Sequence, residues 1–135
     1  MRVLVDTGPL VALADKRDAY HADCVTWMRD FRGQMLTTWA VLTEVSHLIP
    51  STQAVIALFR WIEQGGLEIL PLGRDELLLA TDWMEQYADR PMDLADASLV
   101  VAALNTGVTT VWTLDRTDFE TYRLPGRKRF RQVAM

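Results

Sequence analysis

A chain of 135 residues that is 50% hydrophobic can bury one core and falls in the commonest size range for one domain. Its net charge of −4 and pI near 5.1 argue against a nucleic-acid partner recognised through overall charge. A lone Cys24 excludes an internal disulfide and any cysteine-based zinc cluster, and no apolar run reaches the roughly 18 residues of a membrane span.

The opening Met1-Arg2-Val3-Leu4-Val5-Asp6 has a charge at its sixth residue and no continuous apolar region, so it does not read as a signal peptide, and a cytoplasmic protein is expected. Arg2 to Asp6 reads as a buried strand, and Thr7-Gly8-Pro9 as the turn leading into a helix over Leu10 to Asp15. A second helix spans His21 to Phe31, ended by Gly33, and places Cys24 as a buried structural thiol. Gln34 to Thr38 is a second strand whose threonines can cap the helix Trp39 to Ile49, which Pro50 stops. Ser51 caps the next helix, Thr52 to Gln64, closed by Gly65-Gly66. A third strand follows over Leu67 to Leu72, a long helix over Asp75 to Ala88, and a strongly apolar helix over Asp93 to Asn105 that Gly107 ends. Thr109 to Leu114 is the fourth strand, and Phe130 to Ala134 a candidate fifth.

Strands separated by helices imply parallel pairing through right-handed crossovers, with helices on both faces of the sheet. Ligands of such sheets bind beyond the carboxyl ends of the strands. Asp6 closes Val3-Leu4-Val5, and Asp115 closes Val111-Trp112-Thr113-Leu114, so two strands distant in the chain deliver acids to that edge. Carboxylates held within a few ångströms raise one another's pKa unless a cation neutralises them. All-oxygen ligands suit Mg²⁺ or Mn²⁺, hence metal-assisted chemistry on a phosphate.

Local explanations compete with this at each position. Asp6 also fits a turn or helix-capping residue. Asp93-Leu94-Ala95-Asp96 has the spacing of a capping box, which accounts for Asp93; Asp96 opens a helix apolar enough to be buried, where an unpaired acid is costly unless it meets a cation or water. Asp115 and Asp118 share that capping spacing. Glu44, inside a helix, reads by periodicity as a solvated surface residue. His21 and His47 share no metal-binding motif, and no dinucleotide, Walker or serine-hydrolase signature is present. Residues 122–135 hold five of the 14 basic residues and no acid, either a phosphate-contacting edge or a solvated tail.

Four fragments, Val3-Leu4-Val5-Asp6-Thr7-Gly8-Pro9-Leu10, Thr43-Glu44-Val45, Asp93-Leu94-Ala95-Asp96-Ala97 and Thr113-Leu114-Asp115-Arg116-Thr117-Asp118-Phe119, together resemble a PIN domain, most closely the VapC-type toxin ribonucleases of toxin-antitoxin pairs. The resemblance covers essentially the whole chain as one domain, residues 1–135. It implies a PIN-like three-layer α/β fold with a central parallel sheet of four to five strands flanked by helices. It also implies a Mg²⁺-dependent endoribonuclease in which Asp6, Glu44, Asp96 and Asp115 form an acidic quartet, with Asp6 and Asp96 the principal ligands of Mg²⁺ or Mn²⁺. Asp93 and Asp118 are accompanying acids, and Thr7 and Thr113 orient waters or carboxylates from behind the ligands. Arg116, Arg123, Arg127, Lys128 and Arg129 are the candidate RNA contacts. A homodimer and a cognate antitoxin segment lying in an apolar groove are the implied partners. Two other classes compete: a catalytically silent binding module on the same fold, and a receiver-like phosphotransfer module, which the strand ends Thr37-Thr38 and Pro71-Leu72 argue against.

Overall fold

A computed structural model describes residues 1–135 and contains seven helices and a five-stranded parallel sheet. Val3, Leu4 and Val5 are fully buried, so strand β1 (Arg2–Val5) is covered on both faces, as an unbroken apolar run requires. Strand β2 (Gln34–Thr37) flanks it on one side and β4 (Thr110–Trp112) on the other. The edges are β3 (Glu68–Ile69), beside β2, and a strand over Arg131–Gln132, beside β4. Between β4 and that last strand, β5 (Arg123–Leu124) and β6 (Lys128–Arg129) form a separate antiparallel hairpin, so the Arg131–Gln132 strand is β7.

The order β3-β2-β1-β4-β7 means that the chain builds outward from β1 on one side, then returns to build on the other. The reversal leaves a crevice beyond the ends of β1 and β4, where ligands of parallel sheets bind. The helices α1 (Thr7–Ala14), α2 (His21–Asp30), α3 (Trp39–Leu48), α4 (Thr52–Glu63), α5 (Arg74–Gln86), α6 (Leu94–Thr106) and α7 (Arg116–Thr121) flank the sheet. Helix α1 packs on α2, α3 and α4, and α6 on α3, α5 and β1. A continuous cluster of 33 buried apolar residues forms the core.

Most elements match the local signals. Thr38 caps α3 by accepting from Val41 N (3.2 Å), and Ser51 caps α4 by accepting from Ala54 N (3.2 Å). Gly107 closes α6 with φ 75°, a left-handed conformation that favours glycine. Cys24 is fully buried, and burial raises its thiol to about 11, ahead of the charges of Asp18 and Asp23.

Most bounds lie within one or two residues of expectation, α5 for example running over Arg74–Gln86 rather than Asp75 to Ala88, and four elements differ in ways that have a physical reason. Helix α1 begins at Thr7 rather than Leu10, because Pro9 in the first turn interrupts no intrahelical bond. The third strand shrinks from Leu67–Leu72 to Glu68–Ile69, an edge strand halted near Pro71, which has no N–H. The fourth ends at Trp112 rather than Leu114, since Thr113 turns its hydroxyl to accept from Asp115 N (2.9 Å) and leaves the ladder. The fifth narrows to Arg131–Gln132, and the β5–β6 hairpin was not anticipated. No helix is long and apolar enough to cross a membrane.

Candidate active site

The crevice beyond β1 and β4 is a cleft of ≈ 570 Å³ whose walls carry seven acids, Asp6, Asp18, Glu44, Asp93, Asp96, Asp115 and Asp118, and no Lys or Arg. Asp6 stands where β1 passes into α1 and is only 5% exposed. It occupies the N-cap position, but its side chain caps nothing. Its Oδ2 instead accepts from Thr113 Oγ1 at 2.7 Å, across the switch point from the end of β4. Burial raises Asp6 to about 6; the Thr113 hydroxyl and the Thr7 amide pull the other way, while the charges of Glu44 and Asp115 add to the rise.

Asp96 enters from the first turn of α6. Its backbone N donates to Asp93 Oδ1 (2.8 Å), so Asp93 is the cap that the spacing predicted. The reciprocal half of the box is missing, because the Asp96 carboxylate accepts from the Tyr122 hydroxyl at 2.8 Å. Burial, then the charges of Asp6 and Asp93, drive Asp96 to about 8, well above a free carboxylate.

Glu44 reaches the cleft from α3, so it is not the solvated glutamate its periodicity indicated. The placement follows from a buried joint: Thr38 Oγ1, which caps α3, also lies 2.7 Å from Ser98 Oγ of α6. Burial raises the Glu44 carboxyl; the nearby Thr7 hydroxyl lowers it, and Asp93 raises it further. Thr7 Oγ1 is itself buried and meets no partner in full hydrogen-bonding geometry. Asp115 is exposed and stands at the N-cap position of α7 without a side-chain capping bond. Asp118 rises to about 6 through burial, a hydrogen bond shared with Asp115 and that neighbour's charge, against Arg90, whose Nε lies 3.6 Å from Asp118 Oδ1.

None of the five candidate RNA contacts lines the cleft. Arg116 donates to Val133 O (3.0 Å), and Arg123 to the carbonyls of Glu120, Thr121 and Tyr122. Arg127, Lys128 and Arg129 stand exposed on and around the β5–β6 hairpin. The cation that approaches the acids is Arg90, and the hydroxyl that fixes Asp96 is Tyr122; neither had a local signal, since no spacing rule relates them to the acidic fragments.

The donor set fits a hard divalent cation. It consists of oxygens alone, its acids are raised by burial and mutual charge, and a buried hydroxyl beside it lacks a partner. No three of these carboxylates converge closely enough to ligate one ion together.

The PIN domain family model matches residues 3–123. The chain belongs to the PIN domain family. As a PIN domain it is 28% identical to ribonuclease VapC26 of Mycobacterium tuberculosis (strain ATCC 25618 / H37Rv) over 131 residues, 95% of this chain and 97% of that protein. Its fold matches the crystal structure of M. tuberculosis VapC20, a Sarcin-Ricin loop cleaving toxin, with a TM-score of 0.75 and 19% identity over 81% of this chain and 86% of that one. FitAB bound to an IR36 DNA fragment matches with a TM-score of 0.58 and 18% identity over 88% of each chain. The parallel five-stranded sheet flanked by helices is thus the PIN architecture expected from the four sequence fragments.

Proposed function

We propose that this PIN domain, spanning residues 1–135, is an endoribonuclease that hydrolyses RNA phosphodiester bonds with a divalent cation, Mg²⁺ or Mn²⁺, and serves as the toxin of a toxin-antitoxin pair. The observation that carries the reading is the pairing of Asp6 and Asp96 in the switch-point cleft, each accepting a hydroxyl at one carboxylate oxygen, in a relative of a VapC ribonuclease. When bound, the cation lowers the pKa of a coordinated water and screens charge building on the phosphate. Asp6 and Asp96 would hold it, with Glu44 and Asp115 completing the acidic wall. Thr113 fixes the rotamer of Asp6, and the Thr7 hydroxyl lies beside Glu44, where it would orient that carboxylate or a water. One carboxylate of the cleft would accept the proton released by the attacking water. No nucleophilic side chain is required.

Acidic walls repel RNA, so affinity must come from the cation and from more distant charges. Arg127, Lys128 and Arg129 are the candidates with free side chains, while Arg116 and Arg123 are committed to carbonyls in this fold. Two apolar surfaces support protein partners. A groove of ≈ 270 Å³ lined by Leu13, Val25, Met28, Ala57, Leu58 and Trp61 fits an amphipathic antitoxin segment. Exposed Trp39, Leu77 and Leu94 surround a second groove of ≈ 260 Å³ suited to a homodimer contact. RNA as substrate supports action in the cytoplasm.

The test is cleavage of total RNA by wild type, Asp6→Asn and Asp96→Asn with Mg²⁺ or EDTA, followed by sequencing of RNA ends. Both variants are expected to lose at least about 100-fold in rate, the order of removing one group that stabilises a transition state. Undiminished cleavage by both sinks the assignment.

A further inference from the structure

We propose that Tyr122 is a positioning residue for the divalent cation: its buried hydroxyl turns the Asp96 carboxylate away from its own helix and into the cleft. The proposal rests on the metal-dependent reading above and assigns a role to a residue outside the acidic quartet.

Asp96 stands three residues after its cap, Asp93, the position from which the longer Glu or Gln of a capping box reaches back to the cap's amide. Here the carboxylate makes no such bond, and its sole hydrogen-bond partner in the fold is Tyr122 Oη, on Oδ2, from 26 residues away. Oδ1 is left without a protein partner on the wall of the cleft. The donor is rigid. Tyr122 is fully buried, with the rings of Tyr87 and Phe119 set edge-on at centroid distances of 5.2 and 5.3 Å. Its backbone N donates to Asp118 O (3.0 Å); the Tyr87 hydroxyl, by contrast, meets only the backbone of the next residue, accepting from Arg123 N (2.9 Å) without touching Tyr122 Oη or Asp96.

Asp6 is treated in the same way, with Oδ2 accepting from the buried Thr113 hydroxyl. Each of the two acids therefore has one oxygen held by a hydroxyl from the last quarter of the chain. Fixing both rotamers in advance reduces the ordering that an ion must impose, which is how groups behind a ligand raise metal affinity. A buried tyrosine also needs an acceptor for its own sake, so a purely structural role is the alternative to be separated.

Calorimetric titration with Mn²⁺ of wild type, Tyr122→Phe, Tyr87→Phe and Asp96→Asn makes that separation. Tyr122→Phe, which keeps the ring, is expected to bind Mn²⁺ about 10-fold more weakly, and its RNA cleavage should recover when Mn²⁺ is raised to saturation. Tyr87→Phe loses a hydroxyl bonded only to backbone and should bind as wild type. Unchanged affinity in Tyr122→Phe, or an equal loss in Tyr87→Phe, overturns the positioning role while the metal reading stands on Asp96→Asn. Absence of Mn²⁺ binding by wild type overturns both. Should Tyr122→Phe not fold, the chain labelled with 3-fluorotyrosine carries the test, its three resonances assigned through Tyr20→Phe and Tyr87→Phe. A Tyr122 resonance that does not move as Mg²⁺ is added overturns the proposal.

Discussion

Asp6→Asn should make the protein more stable in EDTA while abolishing its cleavage of RNA. Asn retains the oxygen that accepts from Thr113 and the approximate volume of the side chain, but it carries no charge. Burial, the largest cause, raises Asp6 from the ordinary 3.8 to about 6 in the folded protein. Between those values the native state binds more protons than the unfolded chain, so stability falls as pH rises through that window and levels off above it. Two units at about 1.4 kcal/mol each place the upper bound near 3 kcal/mol, and incomplete satisfaction of the Asn amide reduces the expected gain to about 1–3 kcal/mol. In a domain of this length that corresponds to a rise in Tm of roughly 4–10 °C. The gain exceeds the Asp6 contribution alone if Asp96 responds, because the Asp6 charge is one of the causes that push Asp96 to about 8. Thermal melts by circular dichroism at pH 4 and 7.5, in EDTA and with Mg²⁺, are the assay. The two proteins should nearly coincide at pH 4 and separate by pH 7.5; Mg²⁺ should then stabilise wild type and not the variant. A variant less stable than wild type at pH 7.5 in EDTA, or a gap that does not change with pH, refutes the electrostatic account.

Thr7→Val removes a buried hydroxyl that has no full hydrogen-bond partner, so urea unfolding in EDTA should show a gain of about 1 kcal/mol and a smaller stabilisation by Mg²⁺ than in wild type; a loss of more than about 1 kcal/mol would mean that the hydroxyl is satisfied. Thr38→Val breaks both the α3 cap and the contact with Ser98, and should cost about 1–3 kcal/mol in the same measurement while lowering cleavage through displacement of Glu44. Leu77→Glu puts a charge beside exposed Trp39 and Leu94; sedimentation should show a wild-type dimer and a variant monomer that still melts cooperatively, and a dimeric variant would place the contact elsewhere.

The acids differ in how far local sequence could identify them. Asp6 was readable because an apolar run followed by a charged residue marks a strand end whatever surrounds it, and Asp93 because N-cap spacing is a property of one helical turn. Asp96 was half readable: the burial of α6 was evident from its composition, but the direction of the carboxylate depends on Tyr122. Glu44 was not readable from periodicity, since it occupies an ordinary helix-interior position and becomes part of the cleft only because Thr38 and Ser98 dock α3 on α6. The basic residues 123–131 were read as one group by composition, yet Arg123 is folded back onto carbonyls whereas Arg127, Lys128 and Arg129 remain exposed.

By itself the sequence determined the alternation of strands and helices, the caps at Thr38, Ser51 and Asp93, the parallel sheet, and the delivery of Asp6 and Asp115 to its ligand-binding edge. These follow from apolar runs, turn residues and capping geometry, all of which operate within a few residues. The tertiary structure alone decided the strand order that opens a crevice between β1 and β4, the bonds Thr113 to Asp6 and Tyr122 to Asp96, and the approach of Arg90 to Asp118. Those hydroxyl contacts join residues 107 and 26 positions apart, and a hydrogen bond across such a separation leaves no periodic trace in the chain. They exist because packing of the sheet and helices brings the groups together where water is scarce, which is also why the acids they hold are raised so far above their ordinary range.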